Sequence, residues 1–371
     1  MESSSLKSYI GHRAREMAVW ASVVSRFGQN GAGRILFLPS QAKDIGSSKL
    51  RVYDIAAEMK KLGWNTQIIP KQLELSQRRR IIKLFNPNYI FMQLTRHELN
   101  RAEYYLGRKL IFDIDDPDYL DERQTEHIVR ACRGAALVVA GSRNIERWCR
   151  QYSGNVEVIW TGSPPTPTPP ADSAQRECVV AWAAGYPHLY PLEAALVFDI
   201  ATAVKQRIRN VVFRLYGWNG GPAMEAYAAQ FMSAGIKIEK VPYLPYEAFL
   251  SSLRDVAVGL HPIHPDFAAS QGKSFGKLLA YMDAGVAVVT SAAADHALFY
   301  ESGRNAMLVT EKNEWVDAIC MLLERPDMRA SMAKEAYADF LKRLTTEAAA
   351  RRLHHILNKF AGQTAAALSD V

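Results

Sequence analysis

Short runs of apolar, mostly β-branched residues alternate along this chain with longer stretches whose apolar positions recur at helical spacing. Residues 35–39, 66–70, 89–93, 110–114, 137–140 and 156–160 are expected strands with helices between them, which predicts a doubly wound, parallel α/β half. GSPPTPTPPADSAQRE, residues 162–177, follows; its prolines neither donate to a sheet nor continue a helix, so it reads as an extended interdomain linker. The pattern then restarts, with strands expected at 179–183, 211–216, 236–241, 256–260, 286–290 and 307–309 and a helical tail from about 315 to 360. The expected domains are therefore 1–161, a linker 162–177, 178–345, and a C-terminal helix and tail 346–371. Two such sheets would present their C-terminal strand edges to a cleft, where ligands of doubly wound sheets bind. The architecture also suits periplasmic binding proteins, epimerases and phosphorylases, so residues have to select the function.

Composition narrows the class. With 371 residues, 49% hydrophobic and 22% charged, the chain has the length of two domains and excludes disordered, collagenous and disulfide-stapled proteins. Cys132, Cys149, Cys178 and Cys320 form no C-x-x-C pair, which argues against a zinc knuckle or redox dithiol and for a reducing, cytoplasmic setting. Lys7, Arg13, Arg15 and Arg26 interrupt the apolar residues of the N-terminal segment, and no stretch approaches ~20 uninterrupted apolar residues, so neither a signal peptide nor a membrane span is expected. The net charge of +7 is unevenly spread: residues 1–160 hold 25 Lys and Arg against 17 Asp and Glu, and residues 161–371 hold 20 against 21. A basic first half suggests an anionic partner such as a phospholipid surface, a lipid-linked phosphate or nucleic acid, the alternative being solvated helix faces. Nucleic acid is the weakest of these, because the basic residues lack interleaved aromatics.

The densest local signal is GLHPIHPDFAASQGKSFGKLLAYMDAGVAVVTSA, residues 259–292: strand, polar loop, a helix starting near Ser274, Gly285 closing it, and a second buried strand. Lys273, Ser274, Phe275, Gly276 and Lys277 gather free N–H groups, a hydroxyl and two lysines where a helix dipole favours an anion, so a phosphate or diphosphate would fit; a solvated first turn with a serine cap is the alternative. In the first half, FDIDDPDYLDE, residues 112–122, sets Asp113 at a strand end and Asp115, Asp116 and Asp118 on the following loop. Further on, Asp113 and Asp115 form a D-x-D that would also suit a metal-dependent transferase or a phosphatase nucleophile, and a solvated acidic turn is the plain alternative. Residues 45–48, Ile-Gly-Ser-Ser, place a permissive glycine and two hydroxyls before a helix, for capping or ligand contact. His261 and His264 are three apart but separated by prolines, a poor metal pair.

These segments resemble the group 1 glycosyltransferases, retaining enzymes of the GT-B fold that use nucleotide-sugar donors. The resemblance covers the chain in outline and is most specific at SFGKLLAYMDAGVAVVTS, similar to the family's donor-site helix and following strand; VPYLPYEAFLSSLRDVAVGLHPI, FYESGRNAMLV and NVEVIWTGSPP agree with it. VVAWAAGYPHLYPLEAAL and FDIDDPDYLD most resemble a subgroup with an Asp-Asp pair in the first domain. What it implies is an α/β GT-B fold of two Rossmann-like domains, with a C-terminal helix crossing back to the first. The activity implied is hexosyl transfer from a nucleotide-diphospho-sugar to a glycan, polysaccharide or lipid-linked acceptor, with retention, no metal and no cofactor. Asp115 or Asp116 takes the acceptor or sugar contact. Lys273, Ser274, Phe275, Gly276, Lys277, Gly185, Gly217 and Asp266 serve the donor, and Gly46, Ser47 and Arg51 lean over it.

Two departures cut against the pattern. The family's paired glutamates fall here on Gly272 and Ala280, and residues 185–190 lack its Arg and Lys for the diphosphate, leaving Lys273 and Lys277 to take over that charge. A catalytically silent GT-B-like binding subunit is the alternative that follows. The basic N-terminal segment, residues 1–26, further suggests loose association with an anionic membrane at its inner face.

Overall fold

The computed structural model describes the backbone of residues 2–24 and 31–369 and the side chains of residues 13–24 and 31–360. The chain divides into two compact units, 1–164 with 346–371, and 165–345.

The first unit is built on a six-stranded sheet in the order β2-β1-β3-β4-β5-β6, formed by Gly33–Leu38 (β1), Trp64–Ile68 (β2), Tyr89–Gln93 (β3), Leu110–Ile114 (β4), Leu137–Ala140 (β5) and Val156–Val158 (β6), with every pair parallel. Alternation within each strand feeds two cores. Leu36, Leu38, Ile90, Met92, Phe112 and Val138 face the helices Leu75–Phe85, Glu122–Gly134 and Arg143–Cys149. Ile35, Phe37, Phe91, Ile111 and Val139 face the helix Asp54–Lys61 and the C-terminal helix Thr346–Ser369, which inserts Ala350, Leu353, Ile356 and Leu357. The C-terminal helix thus returns to the first unit, as the family resemblance implies. His354 is part of that return: it accepts the Trp64 indole N–H at 2.9 Å.

The helix Glu2–Val24 docks on this unit through Val19 and Val23, and its buried Glu16 accepts from Gln77 at 2.9 Å and Arg80 at 2.6 Å. Of the N-terminal segment expected to meet a membrane, the Lys7 side chain and Arg26 lie outside the described residues. No helix among the described residues is long and apolar enough to cross a membrane.

The second unit repeats the plan in the order β12-β11-β10-β7-β8-β9, formed by Val179–Ala183 (β7), Val212–Trp218 (β8), Lys237–Pro242 (β9), Val258–His261 (β10), Ala287–Ser291 (β11) and Met307–Val309 (β12), again parallel throughout. The helices Pro191–Arg207, Pro222–Ser233 and Lys312–Glu324 supply the core over one face. On the other, Tyr281 lies flat over Gly259, where a Cβ would come within 2.7 Å of its ring, and its hydroxyl accepts from the Ala183 N–H at 2.9 Å. This contact ties the helix Gly276–Asp283 to β10 and β7.

Of residues 162–177, expected as an extended linker, 165–177 are instead built into the second unit. Thr166 donates its N–H to Asp283 at 3.0 Å, and Pro170 fills the space that a Cβ on Gly285 would need. Arg176 donates to the carbonyls of Val256 and Ala284 at 2.7 and 2.6 Å, and Arg329 donates to that of Ser173 at 2.9 Å.

Candidate functional site

In the first unit the polar groups gather where β3, β4 and β5 end. Gln93, the last residue of β3 and fully buried, accepts from Ser48 Oγ at 2.7 Å and donates to Ser47 Oγ at 2.9 Å; Ser47 makes a long 3.4 Å contact to Asp115. The two serines therefore hold the strand end to the 46–48 segment. They do not cap the helix, as the sequence suggested: Gly46–Ser48 is itself the first turn and passes into a π-helical stretch, Lys49–Tyr53. That wider turn, a form frequent at functional sites, carries Arg51.

Arg51 corrects an expectation. It is buried, not available to a ligand: its guanidinium forms an ion pair with the fully buried Asp113 and donates to the Ile159 carbonyl at 2.7 Å. Burial opposes its charge, but Asp113, Asp115 and Asp116 more than offset this and hold it protonated. Asp113 is thereby committed to Arg51 rather than to a D-x-D pair with Asp115. Asp116 is also engaged: Arg96 donates to it at 2.6 Å and to Asp118 at 2.6 and 2.7 Å, fastening the acidic loop to the end of β3.

Asp115 is left. It is 9% exposed, its Oδ1 has no hydrogen-bond partner, and burial together with the neighbouring Asp116 charge pushes its pKa up to about 7 against the pull of Arg51. Such a carboxyl can take or give a proton near neutrality. Its placement depends on Gly141, just past β5, where a Cβ would fall 2.7 Å from the Asp115 Cα. Leu94 strains the same edge, a buried non-glycine residue at φ 49°.

In the second unit the corresponding edge is basic. The helix begins at Gly276, two residues past Ser274, with a short helix Ala268–Gln271 before it. Ser274 does not cap it: the N-terminal residue of this helix has no side-chain cap, and Ser274 Oγ is buried without a partner. Lys273 Nζ sits 3.7 Å from the centre of the Tyr190 ring and Lys277 Nζ 5.3 Å from that of Phe249. Both lysine charges reach His261, the last residue of β10. Burial first, then His296 and these two lysines, keep His261 neutral, with a pKa well below the ordinary histidine value. His296 packs 5.0 Å from it, its pKa lowered by burial to about 4, and the two imidazoles leave Nδ1 of His261 and Nε2 of His296 unpartnered. Lys273, Ser274, Lys277 and His261 are thus brought together by one loop and one strand end.

Other expected donor residues have structural duties. Phe275 is fully buried among His296, Phe299 and Tyr300, an anchor of the loop and not a ligand contact. Gly217, at φ +85°, faces the carbonyls of Ala184 and Gly185, where a Cβ would come within 2.4 Å of each; the backbone it admits is its own chain's, not a nucleobase. A Cβ at Gly185, Gly276 or Gly46 would meet nothing within 4 Å, so no close approach demands glycine there. Asp266 is exposed at the loop rim, 3.9 Å from His264, which parts His264 from the buried His261. Ala280 is fully buried in its helix, so that helix presents no carboxylate at the position. No group of three His, Cys, Asp or Glu side chains suited to a metal ion occurs among the described residues.

Sequence reasoning missed Gln93, Arg96, Gly141, Glu193 and His296. Only Gln93 carried a signal, a lone amide closing an apolar strand.

Residues 198–355 match the family model described as glycosyl transferase-like, which agrees with the expected enzyme class. None of the curated proteins matches the chain by sequence. Among solved structures it is similar to HepE of Anabaena in complex with UDP and glucose (17% identical, TM-score 0.65, covering 88% of this chain and 100% of that one). Sucrose-phosphate synthase from Thermosynechococcus elongatus is similar at 12% identity and TM-score 0.66, covering 89% of this chain and 99% of that one. TarM of S. aureus, in complex with fondaparinux, α-GlcNAc-glycerol and UDP, is similar at 14% and 0.57, covering 76% and 59%. At these identities the likeness establishes the fold: this chain has the GT-B architecture, two doubly wound Rossmann-like units.

Proposed function

We propose that this chain transfers a sugar from a nucleoside-diphosphate sugar to a glycan, polysaccharide or lipid-linked acceptor, with retention and without a metal. The observation that carries the reading is the meeting of Lys273, Ser274, Lys277 and His261 at one sheet edge inside the segment that matches the glycosyl transferase-like family. The binding of UDP by HepE and TarM, on the same fold, supports it. In the proposed reaction an acceptor hydroxyl oxygen bonds to the anomeric carbon as the bond from that carbon to the diphosphate breaks. Lys273, Lys277 and the N–H groups of the helix Gly276–Asp283 neutralise the departing diphosphate, a role that needs no cation. Asp115, with its pKa near 7, receives the acceptor proton. Retention and the Asp-Asp subgroup rest on the family resemblance.

The acceptor side is assigned to the basic first unit, loosely held to an anionic inner membrane face. Its docked helix Glu2–Val24 turns Met17 (70% exposed), Trp20 and Val24 (56%) outward beside the exposed Arg15, which supports a face that dips into headgroups. Cosedimentation with anionic vesicles should be lost on replacing Met17, Trp20 and Val24 together by Ser; unchanged binding would remove this part of the reading.

Calorimetry against UDP, GDP, dTDP, ADP and CMP and their sugar conjugates, with EDTA present, tests the donor site. One nucleotide sugar should bind selectively, and Lys277→Ala should weaken it at least tenfold. Binding that EDTA abolishes would overturn metal independence. The missing carboxylates at Gly272 and Ala280 favour one other reading, a catalytically silent GT-B subunit; donor binding without hydrolysis or transfer to any acceptor would support it.

A further inference from the structure

Glu193 lies in the first turn of the helix that follows β7 and is 2% exposed. One carboxylate oxygen accepts the His264 N–H at 3.1 Å; the other, Oε2, is buried and has no partner. A buried carboxylate oxygen left unmatched is costly and rare in native proteins. Three more unmatched buried atoms belong to the same edge: Nδ1 of His261, Oγ of Ser274 and Nε2 of His296. They come from the last residue of β10 and from the segments that follow β7, β10 and β11, neighbouring strands of one sheet. Such a collection of donors and acceptors suits a ligand rich in hydroxyls.

A carboxylate only accepts, so it repels phosphate and recruits O–H or N–H donors. In a nucleoside-diphosphate sugar, the hydroxyl donors are those of the ribose and of the transferred sugar. We propose that Glu193 accepts hydrogen bonds from ring hydroxyls of the donor, supplying from the first helix of the unit the carboxylate that Gly272 and Ala280 do not. The inference rests on the donor-site reading above and adds a residue that selects for the donor's hydroxyls. Lys273 and Lys277 hold the charged part of the ligand, and Glu193 reads its polyol part.

The test is calorimetry on the full chain with UDP, GDP, dTDP and ADP, each beside its glucose conjugate. Glu193→Gln keeps an oxygen for the His264 N–H and turns the second acceptor into an N–H donor. It should weaken the glucose conjugate at least tenfold. If the free nucleotide weakens equally, Glu193 holds the ribose; if only the conjugate weakens, it holds the sugar. Wild-type affinity for both would reduce Glu193 to an anchor of the 262–272 loop and overturn the proposal. Lys277→Ala separates the two levels: loss of binding there with no effect at Glu193 leaves the donor site standing alone. No nucleotide bound by the wild type would sink both. Should Glu193→Gln misfold, deoxy analogues of the bound conjugate serve instead: removing the recognised hydroxyl should cost the wild-type chain at least tenfold, and equal affinity for every analogue would overturn the proposal.

Discussion

The two units end their parallel strands in opposite ways. In the first, the charges at the edge are matched within the protein: Arg51 with Asp113, Arg96 with Asp116 and Asp118, and one carboxyl, Asp115, remains. In the second, the lysines rest on aromatic faces, the histidines are neutral, and four buried polar atoms have no partner. Internal pairing fixes the position and the pKa of one group, as proton transfer requires. Unmatched groups suit the ligand recognition proposed for the second unit. One fold carries both solutions because its strand-end loops vary while the sheet does not.

The sharpest way to break this contrast is Arg51→Met. It strands Asp113, fully buried, without a counter-charge, and should cost the first unit about 3–5 kcal/mol in urea unfolding. The second unit has no such dependence, so the nucleotide binding proposed for it should survive. A loss under about 1 kcal/mol would mean that the pair is not what organises the acidic edge.

Asp115→Asn comes next and is read through pH. The folded carboxyl titrates near 7, far above its unfolded value, so the folded state holds a proton that the unfolded state releases. Wild-type stability should therefore fall as pH rises from about 4 to about 7, by as much as ~4 kcal/mol for an isolated group. The Asn variant should lose that slope and the lower pH limb of transfer activity. A slope that persists in the variant would place the titration elsewhere.

How much of this the sequence could show follows from range. Each strand is a local event of three to seven residues, and 89–93, 110–114, 137–140, 179–183 and 307–309 begin and end where the periodicity puts them. The lysine loop was legible because its residues are contiguous. Arg51 was misread because its partner stands 62 positions away, and only β1, β3 and β4 lying side by side brings them together. Glu193 was silent for the same reason: within LEAAL it is one polar residue at a helix start, and its meaning comes from His264, 71 positions on. Gly141 gave no sign because what demands a glycine is the Asp115 backbone on the neighbouring strand's loop.

Gly141→Ala tests that demand. Its new Cβ would meet Asp115 at 2.7 Å from Cα and 2.9 Å from Cβ, backbone-borne atoms that cannot swing aside. Overpacking of this kind costs roughly 1–3 kcal/mol, and the displaced carboxyl should titrate closer to an ordinary aspartate. Donor affinity, proposed for the second unit, should stay within a factor of about two. A stable variant with the Asp115 titration unmoved would show that the loop has slack.

The smallest effect concerns strain. Among the described residues three non-glycine residues occupy the left-handed region; Asn86 simply closes a helix, while Leu94 and Ala294 follow β3 and β11, one beside each candidate site. Leu94 is fully buried, so replacing it would mix strain with lost packing. Ala294 offers the cleaner experiment, because Ala294→Gly removes one methyl at φ 50°. Relief of the steric penalty, ~1–2 kcal/mol, is partly offset by the greater freedom of glycine in the unfolded chain, ~0.5–1 kcal/mol. The second unit should gain a few tenths of a kcal/mol, seen as a slightly raised urea midpoint. If donor affinity falls while stability rises, the strained turn before His296 presets the recognition edge of this unit; if both stay level, the matched and unmatched edges differ in their side chains and not in how their backbones are held.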